Sequence, residues 1–361
     1  MTVLPPVSKP APPEPALRRT GVPVRFAVLA VVLAAVIVAG IAIGPVRIPV
    51  AEIVRGLTGR PTQPGDWAII YEVRLPRTIT ATLCGAALGV AGLQMQALFR
   101  NPLADPYVLG VSSGASLGVA IAVLAGGNAA AGLFEVSFGV LGDLGSVVAA
   151  CAGAAVVLAI VLALGRVARS SNTLLLLGVM LSFLVFAAIE VLLAGASPLR
   201  IQQYVEWEFG SFEGVTWPNL QIMVPVLAAG LLAATAGIKS LNALLLGERY
   251  AATMGLHLGR ARLAIIISSS LLAGTVTAFA GPIAFLGIAI PHVARTVFRS
   301  SDHRVLLPAC ILIGAAMALA SDILAQLPGS GVLPLNAMTA LFGAPVVIFV
   351  LVRAHRQEVP V

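Results

Sequence analysis

The chain has 361 residues, of which 59% are apolar and 10% charged, with a mean hydropathy of +1.00. Soluble domains average about 25% charged residues, so this composition excludes a soluble enzyme, a nucleic-acid-binding domain and a disordered chain. The net charge of +7 is scattered between apolar runs. That pattern suits membrane loops sorted by positive charge and does not suit a nucleic-acid surface.

Residues 1–20 are rich in Pro and Ala with no long apolar run. Together with Arg18, Arg19 and Arg25 they predict a disordered cytoplasmic tail over 1–25. The first apolar run, about 26–45, is too long for a signal-peptide core, and Ile43-Gly44-Pro45 is a poor cleavage site, so a retained helix is expected. Nine more spans are predicted at about 78–99, 106–125, 138–164, 173–196, 218–238, 263–280, 283–298, 305–325 and 335–352. The expectation is an all-α polytopic membrane protein of about ten transmembrane helices, with a membrane body over 26–353 and a short cytoplasmic tail over 354–361. Gly85–Gly89, Gly110–Gly114 and Gly114–Gly118 are small-xxx-small pairs that let helix backbones approach closely.

With the N-terminus inside and alternating spans, sixteen of the 22 Lys and Arg residues fall inside and six outside, which places both termini in the cytoplasm. Five of the outer six, Arg47, Arg55, Arg60, Arg74 and Arg77, lie between the first and second spans. Such a cluster either attracts an acidic partner or anionic substrate or is simply tolerated in one translocated loop. Pro102-Leu-Ala-Asp-Pro-Tyr-Val-Leu-Gly110 also resembles Pro282-Ile-Ala-Phe-Leu-Gly287, each following an arginine-led apolar run. Two related halves with a pathway between them are common in transporters.

Cys84, Cys151 and Cys310 sit in apolar runs as packing residues, and the four histidines are scattered, so no metal site is expected. Gly110-Val-Ser112-Ser-Gly114 fits the G-x-S-x-G pattern, but a nucleophile elbow needs a preceding strand, and here a glycine-lined helix contact is expected. Neither lysine, Lys9 or Lys239, stands in a phosphate-binding Gly-Lys-Ser/Thr sequence. Any ATP-driven step therefore belongs to another subunit. The polar stretch 239–262 contains helix formers from Glu248 to Met254 followed by Gly255, a short inner-face helix. It reads either as a docking knob for a cytoplasmic partner or as an ordinary loop helix. Glu190 is an intramembrane carboxylate, either lining a pathway or making a protonated interhelical hydrogen bond. Asp322, near an outer helix end, is expected to cap.

Several blocks carry a family resemblance. They are Arg74-Leu-Pro-Arg77-Thr, Gly85-Ala-Ala-Leu-Gly89, Met95 to Pro106, Gly281 to Gly287 with Ile290-Pro-His292, Asp302 to Pro308, and Leu335 to Ala340 with Gly343-Ala-Pro345. In this order and spacing they resemble the FecCD/BtuC-type permease subunits of binding-protein-dependent importers of iron chelates, haem and cobalamin. The resemblance implies the type II ABC importer permease fold in a bacterial cytoplasmic membrane. It also implies a second permease subunit forming a homodimer, two cytoplasmic ATP-binding subunits that hold ATP and Mg, and an extracytoplasmic substrate-binding protein. No cofactor, catalytic residue or nucleic acid is implied for this chain. The resemblance makes 247–259 the ATPase-coupling segment, with Glu248 and Gly255 as its test positions. Arg74 and Arg77 become docking residues for the binding protein, and a third docking arginine of the cobalamin permease is replaced by Gln326. Asn101, Leu103, Ser170 and Ser171 become the cytoplasmic gate, and Glu190 a pathway candidate. The substrate implied is a ferric siderophore or haem, with cobalamin as the alternative. An ion-coupled secondary transporter relying on Glu190, or a hydrolase using Ser112, are the readings from other classes.

Overall fold

The computed structural model describes residues 21–44, 46, 48–58, 64–124, 144–167, 170–327 and 333–358. Among them every regular element is helical. In chain order these are α1 (Gly21–Ala42), α2 (Val50–Leu57), α3 (Pro64–Ala68), a π turn (Ile69–Arg74), α4 (Leu75–Phe99), a 3-10 turn (Pro106–Leu109), α5 (Val111–Leu124), α6 (Leu144–Val167) and α7 (Ser171–Ala194). They continue with α8 (Pro198–Glu208), α9 (Trp217–Ala236), α10 (Ile238–Leu245), α11 (Glu248–Thr253), α12 (Leu258–Ala280), α13 (Leu286–Phe298), α14 (His303–Gln326) and α15 (Leu335–Glu358). Seven helical stretches are long and apolar enough to cross a membrane, and three shorter apolar helices, in α5, α13 and α15, complete the ten expected spans.

The differences from the sequence reading have local causes. α1 starts at Gly21, inside the stretch expected as a disordered tail; the rest of that tail, residues 1–20, lies outside the described residues. The second span runs without interruption from Gly65 to Phe99. Arg74 and Arg77 made it look shorter, but both side chains find partners inside the chain, so the helix need not stop at them. α15 continues to Glu358, past the expected boundary at 353.

α4 is the centre of the described helices: its apolar residues and those of α12 are mostly buried, whereas α7 and α1 are mostly exposed. Because lipid supplies no hydrophobic drive between helices, close backbone approach has to hold them. A Cβ on Gly85 would lie 2.0 Å from the Gly314 carbonyl oxygen, and one on Gly92 would lie 1.8 Å from that of Gly287. These glycines seat α4 on α14 and α13. Gly114 faces the Gly153 carbonyl and Gly118 that of Ala149 in the same way, joining α5 to α6. Gly110 instead has φ +78 and closes the 3-10 turn. Ser112 is buried in the first turn of α5 with no strand before it, which removes the nucleophile-elbow reading.

The two segments of the faint repeat meet. The Ile283 N–H donates to Tyr107 Oη at 3.4 Å, and His292 Nε2 donates to the Pro102 carbonyl at 2.9 Å. Both segments interrupt a helical path, and non-helical backbone at membrane depth is tolerated only where protein covers it and satisfies it. Asn336 provides part of that cover. Its Oδ1 accepts from Ala284 N at 2.9 Å, and its Nδ2 donates to the Glu208 carbonyl at 3.0 Å.

Replacing Gly85 by Val is expected to destabilise the detergent-solubilised protein by about 1–3 kcal/mol through overpacking against backbone. Gly65→Ala, where a Cβ meets nothing within 4 Å, should stay within about 0.5 kcal/mol. Thermal melts of the two variants check this.

Candidate functional site

One end of the bundle carries α11. Gly247, with φ +102, precedes it, and Glu248 is its first residue. It closes with Gly255 N donating to the Ala252 carbonyl and Leu256 N to the Ala251 carbonyl, both at 3.0 Å. That pairing is a Schellman closure, which needs the left-handed conformation that Gly255 adopts at φ +85. The expected short helix is therefore present, one residue shorter than read from sequence.

The Glu248 side chain reaches two other elements. Oε1 accepts from Ser171 Oγ at 2.7 Å, and Oε2 accepts from Arg262 Nη2 at 2.6 Å. Partial burial pushes this carboxyl up. The hydrogen bonds from Arg262 and Ser171, with the charges of Arg262 and Arg100, outweigh burial and hold it below the usual carboxylate range. These contacts favour the ionised form of Glu248, and the stability they contribute is lost as acidification protonates it. Arg262 Nε is buried without a partner. Around the cluster lies an open cavity of about 630 Å³ lined by the end of α4, residues 170–172, and the 246–250 turn. Arg100 caps α4 with φ +48 and stands beside Gly247.

The structure thus brings Ser170, Ser171 and Glu248 to one cavity, with Ser170 capping α7 by accepting from Thr173 N at 3.1 Å. Asn101 and Leu103 do not line it. Asn101 Oδ1 accepts from Leu103 N at 3.0 Å, and the Leu103 side chain is exposed. Glu190 is exposed on α7, about 28 Å along the helix from Ser171 at 1.5 Å per residue. Arg262 was missed by sequence reading, although it stands fourteen positions beyond Glu248 in the same polar stretch.

At the opposite end the arginines expected to face an acidic partner spend their donors internally. Arg74 Nη1 donates to the Ile41 and Ala42 carbonyls at 2.7 and 2.8 Å, and Nη2 donates to that of Val46. Arg77 Nε and Nη2 hold the Asp322 carboxylate at 2.8–3.0 Å, and its Nη1 pairs with Glu213. Gln326 donates to Asp322 Oδ2 at 3.1 Å. Asp322 is therefore an ion-pair partner on the inner side of α14, correcting the expected capping role. Both Arg74 and Arg77 are buried. Of the other outer arginines, Arg47 and Arg60 lie outside the described residues.

The described residues form a helical bundle with membrane-length apolar helices, centred on one glycine-packed helix, with an exposed short helix tied to the start of α7. Comparison with known proteins makes this specific. Residues 31–353 match the FecCD transport family, and the chain belongs to that family. It is 38% identical over 300 residues to the vitamin B12 import system permease BtuC of Salmonella paratyphi A, covering 81% of this chain and 88% of that one. It is equally similar, over 299 residues, to BtuC of Klebsiella pneumoniae, covering 81% and 86% of the two chains. A solved ABC transporter assigned to the metal-chelate type, in an inward-facing conformation, superposes with a TM-score of 0.78 at 27% identity, covering 92% of this chain and 99% of that one. PsaBC of Streptococcus pneumoniae, at 19% identity and a TM-score of 0.51, shares the fold. The chain is an ABC-importer permease of the FecCD/BtuC type.

Asp322→Ala should cost about 3–5 kcal/mol, because it leaves Arg77 buried beside only the half-exposed Glu213. Glu213→Ala should cost far less, and thermal melts of both variants decide.

Proposed function

We propose that this permease carries a bulky metal chelate, a ferric siderophore or haem, inward across a bacterial cytoplasmic membrane with both termini cytoplasmic. Two copies would pair, a separate pair of subunits would bind ATP and Mg, and an extracytoplasmic protein would deliver the substrate. The metal-chelate transporter that superposes on this chain supports the substrate class, as does Gln326 at the place of a docking arginine of the cobalamin permease. Cobalamin is the second reading, favoured by the 38% identity to vitamin B12 permeases.

The observation that carries the mechanism is the contact between Glu248 and Ser171. A partner that moves α11 pulls on a carboxylate hydrogen-bonded to the first residue of α7 and ion-paired to α12. ATP binding can shift the open and closed states only if it favours one arrangement of these contacts. Asn101 and Leu103 would complete the gate from the α4 side. The exposed α7 face, with Phe183, Leu184 and Phe186, would be covered by the second copy, placing Glu190 beside a central pathway. A docking role for Arg77 requires a carboxylate of the binding protein to replace Glu213, its half-exposed partner; Arg74 would support the same surface.

Three outcomes test this. Glu248→Ala is expected to cut uptake per ATP hydrolysed about tenfold, the loss of charge-assisted hydrogen bonds worth about 1.5–3 kcal/mol. Unchanged coupling would defeat the proposed link. Glu213→Ala should tighten binding-protein affinity, whereas Arg77→Ala should weaken it, read by surface binding to the reconstituted permease. Proteoliposomes holding the permease, its ATPase and its binding protein, offered ferric siderophores, haem and cobalamin in parallel, identify the cargo. Uptake without the ATPase would restore the ion-coupled reading.

A further inference from the structure

A second cavity, of about 640 Å³, lies between the start of α1 and the turn joining α13 to α14. Asn242 of α10 donates to Asp302 Oδ1 at 2.7 Å and accepts from His303 N at 2.9 Å. This fixes the turn at the same end of the bundle as α11, only a few residues further along the chain. The mouth carries Arg25, Arg299 and Arg304 against a single acid, Asp302. Its Oδ1 accepts from the Arg304 N–H at 2.9 Å and from Asn242 Nδ2 at 2.7 Å. Arg25 gives one donor to the Phe298 carbonyl at 3.2 Å, which anchors its guanidinium at the cavity wall. Arg299 and Arg304 are exposed.

The rest of the lining is of the opposite character: Phe298, backed by Phe26 with ring centroids 4.6 Å apart, and Val22, Pro23 and Val305. Beyond the cavity, Val24, Val28, Val31 and Val38 of α1 are exposed, and α1 is the least buried of the long apolar helices among the described residues. A ligand filling this site meets arginine side chains and apolar side chains together, and a free anion would leave the apolar lining uncovered. Guanidinium forks match phosphate oxygens, and basic pockets between membrane helices on the face with excess positive charge hold anionic headgroups.

We propose that this cavity binds an anionic phospholipid, with the headgroup phosphate held by Arg25, Arg299 and Arg304 and the acyl chains laid along α1. The site is independent of which chelate is carried. It ties α1, the least buried span, to the α13–α14 turn at the end where α11 lies.

The test is native mass spectrometry of the full-length permease in neutral detergent with dioleoylphosphatidylglycerol, dioleoylphosphatidylcholine or inorganic phosphate as probes. The expected result is preferential retention of one phosphatidylglycerol per chain, undisplaced by inorganic phosphate. Each arginine near an anionic headgroup contributes about fivefold, so Arg299→Gln with Arg304→Gln should weaken retention by about 25-fold. Arg299→Lys with Arg304→Lys, which keeps the charge but loses the fork, should weaken it less than the Gln pair. Equal retention of the two lipids by the unaltered protein overturns the proposal without needing any variant. Retained preference in the double Gln variant, or displacement of the lipid by inorganic phosphate, overturns it as well.

Discussion

The structure depends on how closely α4 approaches α13 and α14. In a membrane, burial of apolar side chains against one another gains little over contact with lipid, so association rests on dispersion contact and on backbone groups finding partners. Gly85 against Gly314 and Gly92 against Gly287 leave no room for a methyl group at either crossing. This places α4 at the centre, makes it the most buried long helix, and brings the end of α4 beside the 246–250 turn. The cavity around Glu248 exists because α4 ends there.

The same packing explains the polar groups. Arg77, Asp322, Glu213 and Gln326 form one connected cluster from three parts of the chain. A buried charge is tolerable only when it is satisfied, and the acids around Arg77 together with the carbonyls that accept from Arg74 let the helical path run through both arginines. At the opposite end, Glu248 joins the short helix α11 to α7 and α12 through two contacts of 2.6–2.7 Å. The first cluster holds helices in place. The second connects an exposed element to the start of a span, which is what a transmitted motion requires.

Much of the fold was legible in residue order. Hydropathy located all ten apolar segments, because lipid demands about 20 consecutive apolar residues or a shorter buried helix, and both leave an unmistakable pattern. The glycine spacing marked the α4 and α5 crossings, and Gly255 marked the end of α11. The α4 boundary was misread because an arginine in sequence gives no sign of whether an acid 245 positions away will neutralise it. The joined ends of the faint repeat, with Tyr107 bonded to the Ile283 amide, could be suspected from the Pro and Gly pattern, but their contact could not.

The sequence by itself determined the class of molecule, its number of spans, its charge bias and the short helix, since each follows from local composition and spacing. Only the tertiary structure decided which polar groups meet. It turned Arg74 and Arg77 inward, gave Asp322 a partner, brought Glu248 to Ser171 and added Arg262, and left Asn101 and Leu103 outside the cavity. Those outcomes depend on side chains separated by tens to hundreds of positions. The backbone contacts that align them are set by the sum of many helix crossings and by no one stretch of sequence.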